Sequence, residues 1–378
     1  MEQKLKNPFV VGRYVSDKYF CDREEETIFL KKQIENGRNV ALISSRRLGK
    51  TGLIHHFFTQ QEVTKNYYTF FVDIYATSSL IEFVYFLGKA IYEELKPKKT
   101  QWTERFFNII SSLRVGFKLD AITGEPTFDV GLGDIQSPQT TLDEIFQYLE
   151  AADKPCIIAI DEFQQIGNYA EKNTEALLRT KIQQSTNTSF IFSGSKRHTM
   201  SNMFNSASKP FYQSAITMSL APIPVEIYTG FATQMFEMYN KKASQRLIEI
   251  VYNQFEGFTW FVQMMMNELF ALTSTNELCD IEKLEIARKN IIQSQENAYK
   301  EILSKLSHKQ KMLLQAIAKE GIAEGITSAK FIKKYNLSSA SSIQAAIKPL
   351  LENDLLTQNE NRYRVYDYFF ADWLKSRY

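Results

Sequence analysis

The chain has 378 residues, 44% hydrophobic and 23% charged, with a formal net charge of +2 at pH 7. This length predicts two to three domains, and the composition is typical of a folded protein and excludes a disordered chain. The nearly balanced charge gives no overall electrostatic basis for binding nucleic acid or a membrane, so any such binding must be local.

Compartment and membrane association can also be predicted from the sequence. Cys21, Cys156 and Cys279 lie far apart, show no zinc-ligand spacing and fit a reducing compartment. The first residues lack the apolar stretch of a signal peptide, and no uncharged apolar run approaches the roughly 18 residues of a membrane-spanning helix. We therefore expect a cytoplasmic protein without membrane attachment.

In residues 1–222, short apolar runs alternate with amphipathic stretches. The predicted strands are residues 39–44, 67–73, 156–161, 189–193 and 215–220, and the predicted helices are residues 50–61, 78–95, 141–152 and 171–185. Alternation of this kind predicts a parallel sheet with helices on both faces. Residues 113–132 break the alternation, and we interpret them as an inserted β-hairpin, either a surface elaboration or a functional insertion.

Beyond Pro222 and Pro224 the pattern changes to helices only, and residues 223–304 are predicted to form an all-helical lid domain. A third region, residues 305–378, contains three predicted helices followed by two strands. These elements are residues 309–319, 328–335, 339–353, 355–358 and 363–365. Three helices followed by a hairpin is the order of a winged helix-turn-helix domain.

The segment Ser44-Ser45-Arg46-Arg47-Leu48-Gly49-Lys50-Thr51-Gly52 joins a predicted strand to a predicted helix. This is the context of a P-loop, in which backbone N–H groups and the helix N-terminus bind phosphate oxygens. Lys50 would contact the β and γ phosphates of ATP, and the Thr51 hydroxyl would bind Mg²⁺. The pattern usually begins with glycine, so Ser44 fits only if its φ stays negative.

An apolar strand, residues 156–160, ends in the two carboxylates Asp161 and Glu162. Ligands of open α/β sheets bind at the carboxyl ends of strands, so these acids should lie near the P-loop. Asp161 is then a candidate Mg²⁺ ligand, and Glu162 a candidate general base that orients and deprotonates the attacking water. The alternative is a core strand that ends in a solvated acidic turn.

The next strand ends in Gly194-Ser195-Lys196-Arg197, where a polar side chain would lie near the γ-phosphate. Ser193 or Ser195 is a candidate for a hydrogen bond to it, and Arg197 for stabilising transferred charge. A polar turn without such a role is the alternative. Arg46 and Arg47 would contact phosphates, face another domain or be solvated, and His55 and His56 are interpreted as packing residues.

Five short motifs together resemble a known family. They are Phe-Cys-Asp-Arg-Glu-Glu-Glu at residues 20–26, the P-loop, Ile-Asp-Glu-Phe-Gln at residues 160–164, Phe-Ser-Gly-Ser at residues 192–195, and Val-Tyr-Asp-Tyr-Phe-Phe at residues 365–370 with Trp373. The chain resembles, over nearly its whole length, the archaeal-type prokaryotic ATPases of the STAND branch of the AAA+ superfamily. The resemblance implies an AAA+-like ATPase domain, a helical lid and a winged helix.

The resemblance also implies roles for particular residues. The segment around Arg23 would pack near adenine, and the lid would contact nucleotide through a Gly-x-Pro motif. The matching stretch here is Gly257-Phe258-Thr259, with threonine where proline is expected, which leaves that contact open. No arginine finger or oligomeric state can be assigned.

Three functions remain open at this point. The first is an ATP-driven molecular switch, in which nucleotide controls the arrangement of core, lid and winged helix. The second is an ATPase that binds duplex DNA, and the third is a nucleotide-binding scaffold without turnover.

The winged helix bears on the second of these functions. Residues 305–378 carry twelve Lys and Arg against seven Asp and Glu, and small polar or basic residues contact phosphates while Gln reads adenine edges. The candidates are Ser338, Ser339, Ser341, Ser342, Gln344 and Lys348 on a helix, with Arg362 and Arg364 on the wing. The alternative is an intramolecular clamp on the ATPase or a module that binds a protein partner.

Overall fold

The computed structural model describes residues 4–95, 110, 117–119, 126–128 and 135–377. They divide into two compact units. Residues 12–223 form an α/β unit, and residues 4–11 together with 224–377 form a second unit, here called the helical unit. Residues 4–11 were predicted to belong to the first domain, and that assignment is wrong because they pack on helices of the helical unit.

The α/β unit is built on a five-stranded parallel sheet, with a separate two-stranded hairpin. The strands are β1 Val40–Ile43, β2 Tyr68–Asp73, β3 Phe117–Leu119, β4 Pro126–Phe128, β5 Cys156–Asp161, β6 Thr188–Gly194 and β7 Ile216–Met218. The sheet order is β2-β5-β6-β1-β7, and every pair in it is parallel. All residues of β1 and β5 are buried, which requires cover on both faces and explains their unbroken apolar sequences.

The predicted hairpin insertion is confirmed where the structure describes it. Strands β3 and β4 pair antiparallel, with Phe117 opposite Phe128 and Leu119 opposite Pro126. Residues 113–116, 120–125 and 129–132 of the predicted insertion lie outside the described residues.

Helices connect the strands of the sheet. They are α1 Glu24–Glu35, α2 Lys50–Thr59, α3 Gln61–Asn66, α4 Leu80–Leu95, α5 Pro138–Glu150, α6 Thr174–Gln184 and α7 Arg197–Asn205, with a 3₁₀ helix at Phe163–Asn168. Helix α5 begins three residues before the predicted start at residue 141, since Ser137 Oγ accepts a hydrogen bond from Thr140 N and Pro138 occupies the first turn. Helix α2 is central to the site because it begins at Lys50.

The first part of the helical unit contains four helices and one short strand pair. These elements are α8 Val225–Glu237, β8 Lys242–Ala243, α9 Gln245–Gln254, α10 Thr259–Ala271, β9 Leu278–Cys279 and α11 Glu282–Ser304. The prediction of helices alone is wrong in one respect, because β8 and β9 pair in parallel. Two-residue strands carry too few residues for a periodic pattern to show in the sequence.

The carboxyl-terminal part has the predicted winged-helix order and extends it. Its elements are α12 His308–Glu320, β10 Ala323–Glu324, α13 Ala329–Lys334, α14 Ala340–Glu352, β11 Leu356–Asn359, β12 Arg362–Val365 and α15 Tyr368–Arg377. Strand β10 pairs with β12 and turns the predicted hairpin into a three-stranded sheet. No helix among the described residues has the length and apolarity needed to cross a membrane.

The amino-terminal segment, residues 4–11, is held on the helical unit by apolar and polar contacts. Phe9 is fully buried, and its ring lies 5.4 Å from that of Phe236 and 5.9 Å from that of Phe270. Asn267 Nδ2 donates to the Phe9 carbonyl at 2.7 Å, and Asn7 Nδ2 donates to the Asn267 carbonyl at 2.9 Å. These contacts fix the segment as part of the core of the helical unit.

We predict that Phe9→Ala lowers the free energy of unfolding of the helical unit by about 3–5 kcal/mol, because it empties a buried aromatic site. Chemical denaturation followed by tryptophan fluorescence measures this, since Trp260 and Trp373 both belong to that unit. Ile286→Ala is the control, because Ile286 is 52% exposed and its loss should change stability by no more than about 0.5 kcal/mol. Equal stabilities for the two variants would show that residues 4–11 add nothing.

Candidate functional site

The turn between β1 and α2 has the backbone geometry of an anion-binding loop. Arg47 and Gly49 have φ angles of 68° and 91°, so two residues of this turn, two positions apart, are left-handed. Successive N–H groups in such a turn make a concave site for anions. A left-handed conformation costs a non-glycine residue about 1–2 kcal/mol, and such strain concentrates at functional sites.

Ser44 occupies the first position of the loop, where glycine is usual. Its φ is not among the positive values, so the condition that the sequence set for serine at this position is met. The side chain is 3% exposed, and its Oγ donates to the Leu220 carbonyl at 3.1 Å. Ser44 therefore links the start of the loop to the segment that follows β7.

Lys50 is a buried cation at the first position of α2. It is 6% exposed, and its Nζ donates to the carbonyls of Ser44 at 2.9 Å and Ser45 at 3.0 Å. Burial lowers its pKa to about 8, although the nearby charges of Asp161 and Glu162 oppose this change. Two carbonyls compensate an ammonium ion only in part, so the lysine would be stabilised by an anion bound in the loop.

Thr51 and Asp161 are brought into direct contact. Thr51 Oγ1 donates to Asp161 Oδ2 at 2.7 Å, and Asp161 Oδ1 accepts from the Glu162 N–H at 3.0 Å. A hydroxyl and a carboxylate are the oxygen ligands that Mg²⁺ prefers, and Mg²⁺ commonly takes its remaining ligands from phosphates and water. Within the described residues no cluster of three or more His, Cys, Asp or Glu is arranged to hold a metal by itself.

Glu162 lies next to the loop and is held by side chains from two other segments. Its φ is 56°, and it precedes the 3₁₀ helix Phe163–Asn168. Its Oε2 accepts from Ser195 Oγ at 2.9 Å and from Gln164 Nε2. Arg46 Nε in turn donates to Ser195 Oγ at 3.1 Å, so a chain of hydrogen bonds joins the loop, the end of β6 and the acid.

Arg23 contacts the loop between β1 and α2 directly. It is 4% exposed, its Nη2 donates to the Leu48 carbonyl at 3.3 Å, and its Nη1 lies 2.6 Å from Glu26 Oε1. Phe20 lies over the first turn of α2, since a Cβ at Gly52 would come within 3.3 Å of its ring. The segment before α1 thus covers the loop.

The two histidines of α2 pack on aromatic rings as predicted, and His56 Nδ1 also lies 3.0 Å from Asp17 Oδ1. The Phe20 ring stacks on that of His56 at 4.4 Å, and the His55 ring lies 4.6 Å from that of Phe71. Burial lowers the pKa of both histidines, which favours neutral packing residues.

Two residues near the site were missed in the sequence. Asp73 ends β2 opposite Asp161 in the sheet register, and burial raises its pKa, with further increases from Asp161 and Glu162. The signal was available, because Asp73 ends an apolar strand as Asp161 does. Gln164 contacts Glu162, which only the fold of the 3₁₀ helix reveals. Gly257-Phe258-Thr259 belongs to the helical unit, and its contact with nucleotide stays a prediction.

Comparison with known proteins identifies the parts of the chain. The family described as "ATPase domain predominantly from Archaea" matches residues 20–265, about two thirds of the chain, and the family described as "Probable winged helix domain" matches residues 297–376. No curated protein sequence matches the chain.

Solved structures resemble the fold. A Walker-type ATPase of Pyrococcus abyssi is 17% identical and covers 97% of this chain and 99% of its own, with a TM-score of 0.67. The ORC2 protein of Aeropyrum pernix, in ADPNP–ADP complexes, is 14% identical and covers 98% and 95%, with a TM-score of 0.59. The ORC1 protein of Aeropyrum pernix, in complex with DNA, is 12% identical and covers 94% and 92%, with a TM-score of 0.51.

We predict that nucleoside triphosphate binding weakens as the pH rises above about 8, the pKa of Lys50. Burial lowers this pKa, so free protein loses the ammonium charge there, whereas bound phosphates favour the charged form and binding takes up a proton. Well above this pH the loss should approach about tenfold per pH unit. Calorimetry in two buffers of different ionisation enthalpy measures the uptake, which Lys50→Met should abolish. Equal uptake in both proteins would assign the proton to another group.

Proposed function

Because the chain belongs to the family of ATPase domains found predominantly in Archaea and is an ATPase, we propose that it is a molecular switch driven by ATP and Mg²⁺. The nucleotide binds between the loop and the carboxylates of Asp161 and Glu162, and its state controls the arrangement of ATPase core, lid and winged helix. The observation that carries this proposal is the 2.7 Å contact between Thr51 and Asp161, which supports one shared metal–nucleotide site.

The phosphates are bound by the loop, and all its residues contribute. Backbone N–H groups from Ser45 to Gly52 surround the phosphate oxygens, and Lys50 neutralises charge on the β and γ phosphates. Arg23 holds the loop through the Leu48 carbonyl and lies on the segment that would border adenine. Arg46 and Arg47 add positive charge beside the phosphates.

Thr51 Oγ1 and Asp161 Oδ2 would hold Mg²⁺. The Asp161 carboxylate would bind the metal directly or through a water molecule. When bound, Mg²⁺ neutralises charge that develops on the transferred phosphoryl group. Lys50, buried beside them, donates to the carbonyls of Ser44 and Ser45 and would bring its positive charge to the triphosphate.

Glu162 acts as the general base of hydrolysis. It accepts a proton from the attacking water, which then bonds to the γ-phosphorus as the bond to the β–γ bridging oxygen breaks, giving ADP and inorganic phosphate. Ser195 donates to Glu162 at 2.9 Å and lies where the γ-phosphate would be sensed. Arg46 is linked to Ser195, so the phosphate-binding loop and the base are coupled.

The path of the chain supports a switch. The chain passes between the two units twice, between residues 11 and 12 and between residues 223 and 224. After the first crossing, Phe20 and Arg23 contact the loop and α2. Before the second, the Leu220 carbonyl accepts from Ser44 of the loop. A change in the loop on phosphate binding would therefore reach the segments of the chain that lie next to both crossings.

A second candidate function is binding of duplex DNA. Ser338, Ser339, Ser341, Gln344 and Lys348 form an exposed face at the start of α14, and ORC1, a protein of similar fold, was solved with DNA. Arg364 does not support the candidate, because it pairs with Glu256 and the Tyr368 hydroxyl and stacks over Phe258. A protein partner for the same face remains the other interpretation.

We predict that Glu162→Gln reduces steady-state phosphate release at least about 100-fold while ATP binding is retained, because the carboxylate acts on the water and not on the phosphates. Glu62→Gln, at a side chain 65% exposed on α3, is the control and should hydrolyse ATP normally. If wild type and Glu162→Gln are equally inactive and both bind ATP, the chain is a scaffold without turnover.

The same variant tests the switch, because it holds ATP unhydrolysed. Small-angle X-ray scattering of Glu162→Gln with ATP and with ADP should give different radii of gyration. Identical curves in the two states would contradict a switch while leaving the ATPase intact.

The DNA-binding function predicts a gel shift of duplex that weakens steeply with salt, by about 0.9 log units per phosphate contact for each tenfold change in salt concentration. The change Lys348→Glu, at a side chain 81% exposed, should reduce that binding. Lys300→Glu, at a side chain 54% exposed on α11, is the control and should not. Binding insensitive to Lys348, or no shift at low salt, would leave a protein as the partner of this face.

A further inference from the structure

We propose that Gln164 is a positioning residue for hydrolysis: its amide holds the Glu162 carboxylate through one oxygen and leaves the other oxygen for the attacking water. The inference rests on the proposed role of Glu162 as general base. It concerns a residue that touches the base and not the substrate, so its effect is transmitted entirely through Glu162.

The first observation is the asymmetry of the hydrogen bonds to Glu162. Ser195 Oγ and Gln164 Nε2 both donate to Oε2. Oε1 accepts no hydrogen bond from the part of the chain that the structure describes, and Glu162 is only partly buried. Two donors on one oxygen prevent the carboxylate from rotating freely, and the second oxygen keeps its lone pairs for a water proton.

The second observation is that Gln164 is a destabilising residue to bury at this position. Gln164 is 3% exposed, and its Oε1 is a buried atom without a hydrogen-bond partner. A buried unpaired carbonyl destabilises a fold, whereas an apolar side chain of the same length would carry no such penalty. The hydrogen bond from Gln164 Nε2 to Glu162 is the interaction that offsets this penalty.

The third observation is the space reserved for the amide. A Cβ at Gly194 would lie 2.4 Å from Gln164 Oε1 and 2.5 Å from Met200 Cγ. Because both distances are below any real contact, a side chain at Gly194 would displace Gln164 or Met200. The glycine of the Phe-Ser-Gly-Ser motif thus makes room for the amide beside the Ser195 that shares its acceptor.

Fixing the base in this way affects rate more than binding. A reacting group misplaced by about 1 Å can cost on the order of 100-fold in rate, and a free glutamate side chain explores several rotamers. The phosphates are bound by other residues, so loss of Gln164 should change kcat and leave ATP affinity unchanged.

The test is Gln164→Met, which keeps the length of the side chain and removes both the donor and the unpaired carbonyl. We expect kcat for phosphate release to fall about tenfold or more, with an unchanged Kd for ATP and a Tm equal to or above that of wild type. The matched control is Gln165→Met, since Gln165 donates to the Tyr75 carbonyl at 3.2 Å and should keep kcat within about twofold. A wild-type kcat, or a fall in kcat that follows a fall in Tm, would overturn the proposal.

A double-mutant cycle separates this inference from the function on which it rests. In the Glu162→Gln background, Gln164→Met should cause no further loss of turnover, because its effect passes through the carboxylate. The full loss in that background would refute the positioning role. Undiminished turnover in Glu162→Gln alone would instead refute the general base. Gly194→Ala, which crowds the Gln164 amide without replacing it, should lower kcat in the same way where it displaces that amide.

Discussion

The site depends on one constraint, the parallel pairing that brings the carboxyl ends of β1, β6 and β5 to the same edge of the sheet. Strand β6 lies between the other two, so the loop after β1 and the acids after β5 are not neighbours in the ladder. The hydrogen bond of 2.7 Å between Thr51 and Asp161 spans that separation. Every further feature of the site is positioned relative to this contact.

The site contains charged side chains of both signs. Lys50 is buried and donates to two backbone carbonyls, and Asp73, Asp161 and Glu162 lie at the ends of two adjacent strands. Buried charges destabilise a folded chain unless they are paired or hydrogen-bonded.

Contacts outside the loop and the strand ends also determine which residues are accessible. The amino-terminal segment belongs to the core of the helical unit through Phe9, and a few residues later the chain covers the loop through Phe20 and Arg23. In the winged helix, Arg364 is occupied by Glu256 and aromatic rings, so basic residues near a wing cannot be counted as nucleic-acid contacts without knowledge of their partners. Residues at the start of α14 are exposed.

The sequence by itself determined the α/β order, the loop from Ser45 to Gly52, the acids Asp161 and Glu162, and the winged-helix order, because each depends on local periodicity or on adjacent residues. It also indicated Ser195 and Arg23, because each lies in a short motif of contiguous residues. Only the tertiary structure decided that residues 4–11 join the helical unit, that Ser44 contacts Leu220, and that Gln164 holds Glu162 beside Gly194. Those contacts join residues distant in the chain or depend on the path of a 3₁₀ turn, and no hydrophobic period encodes them.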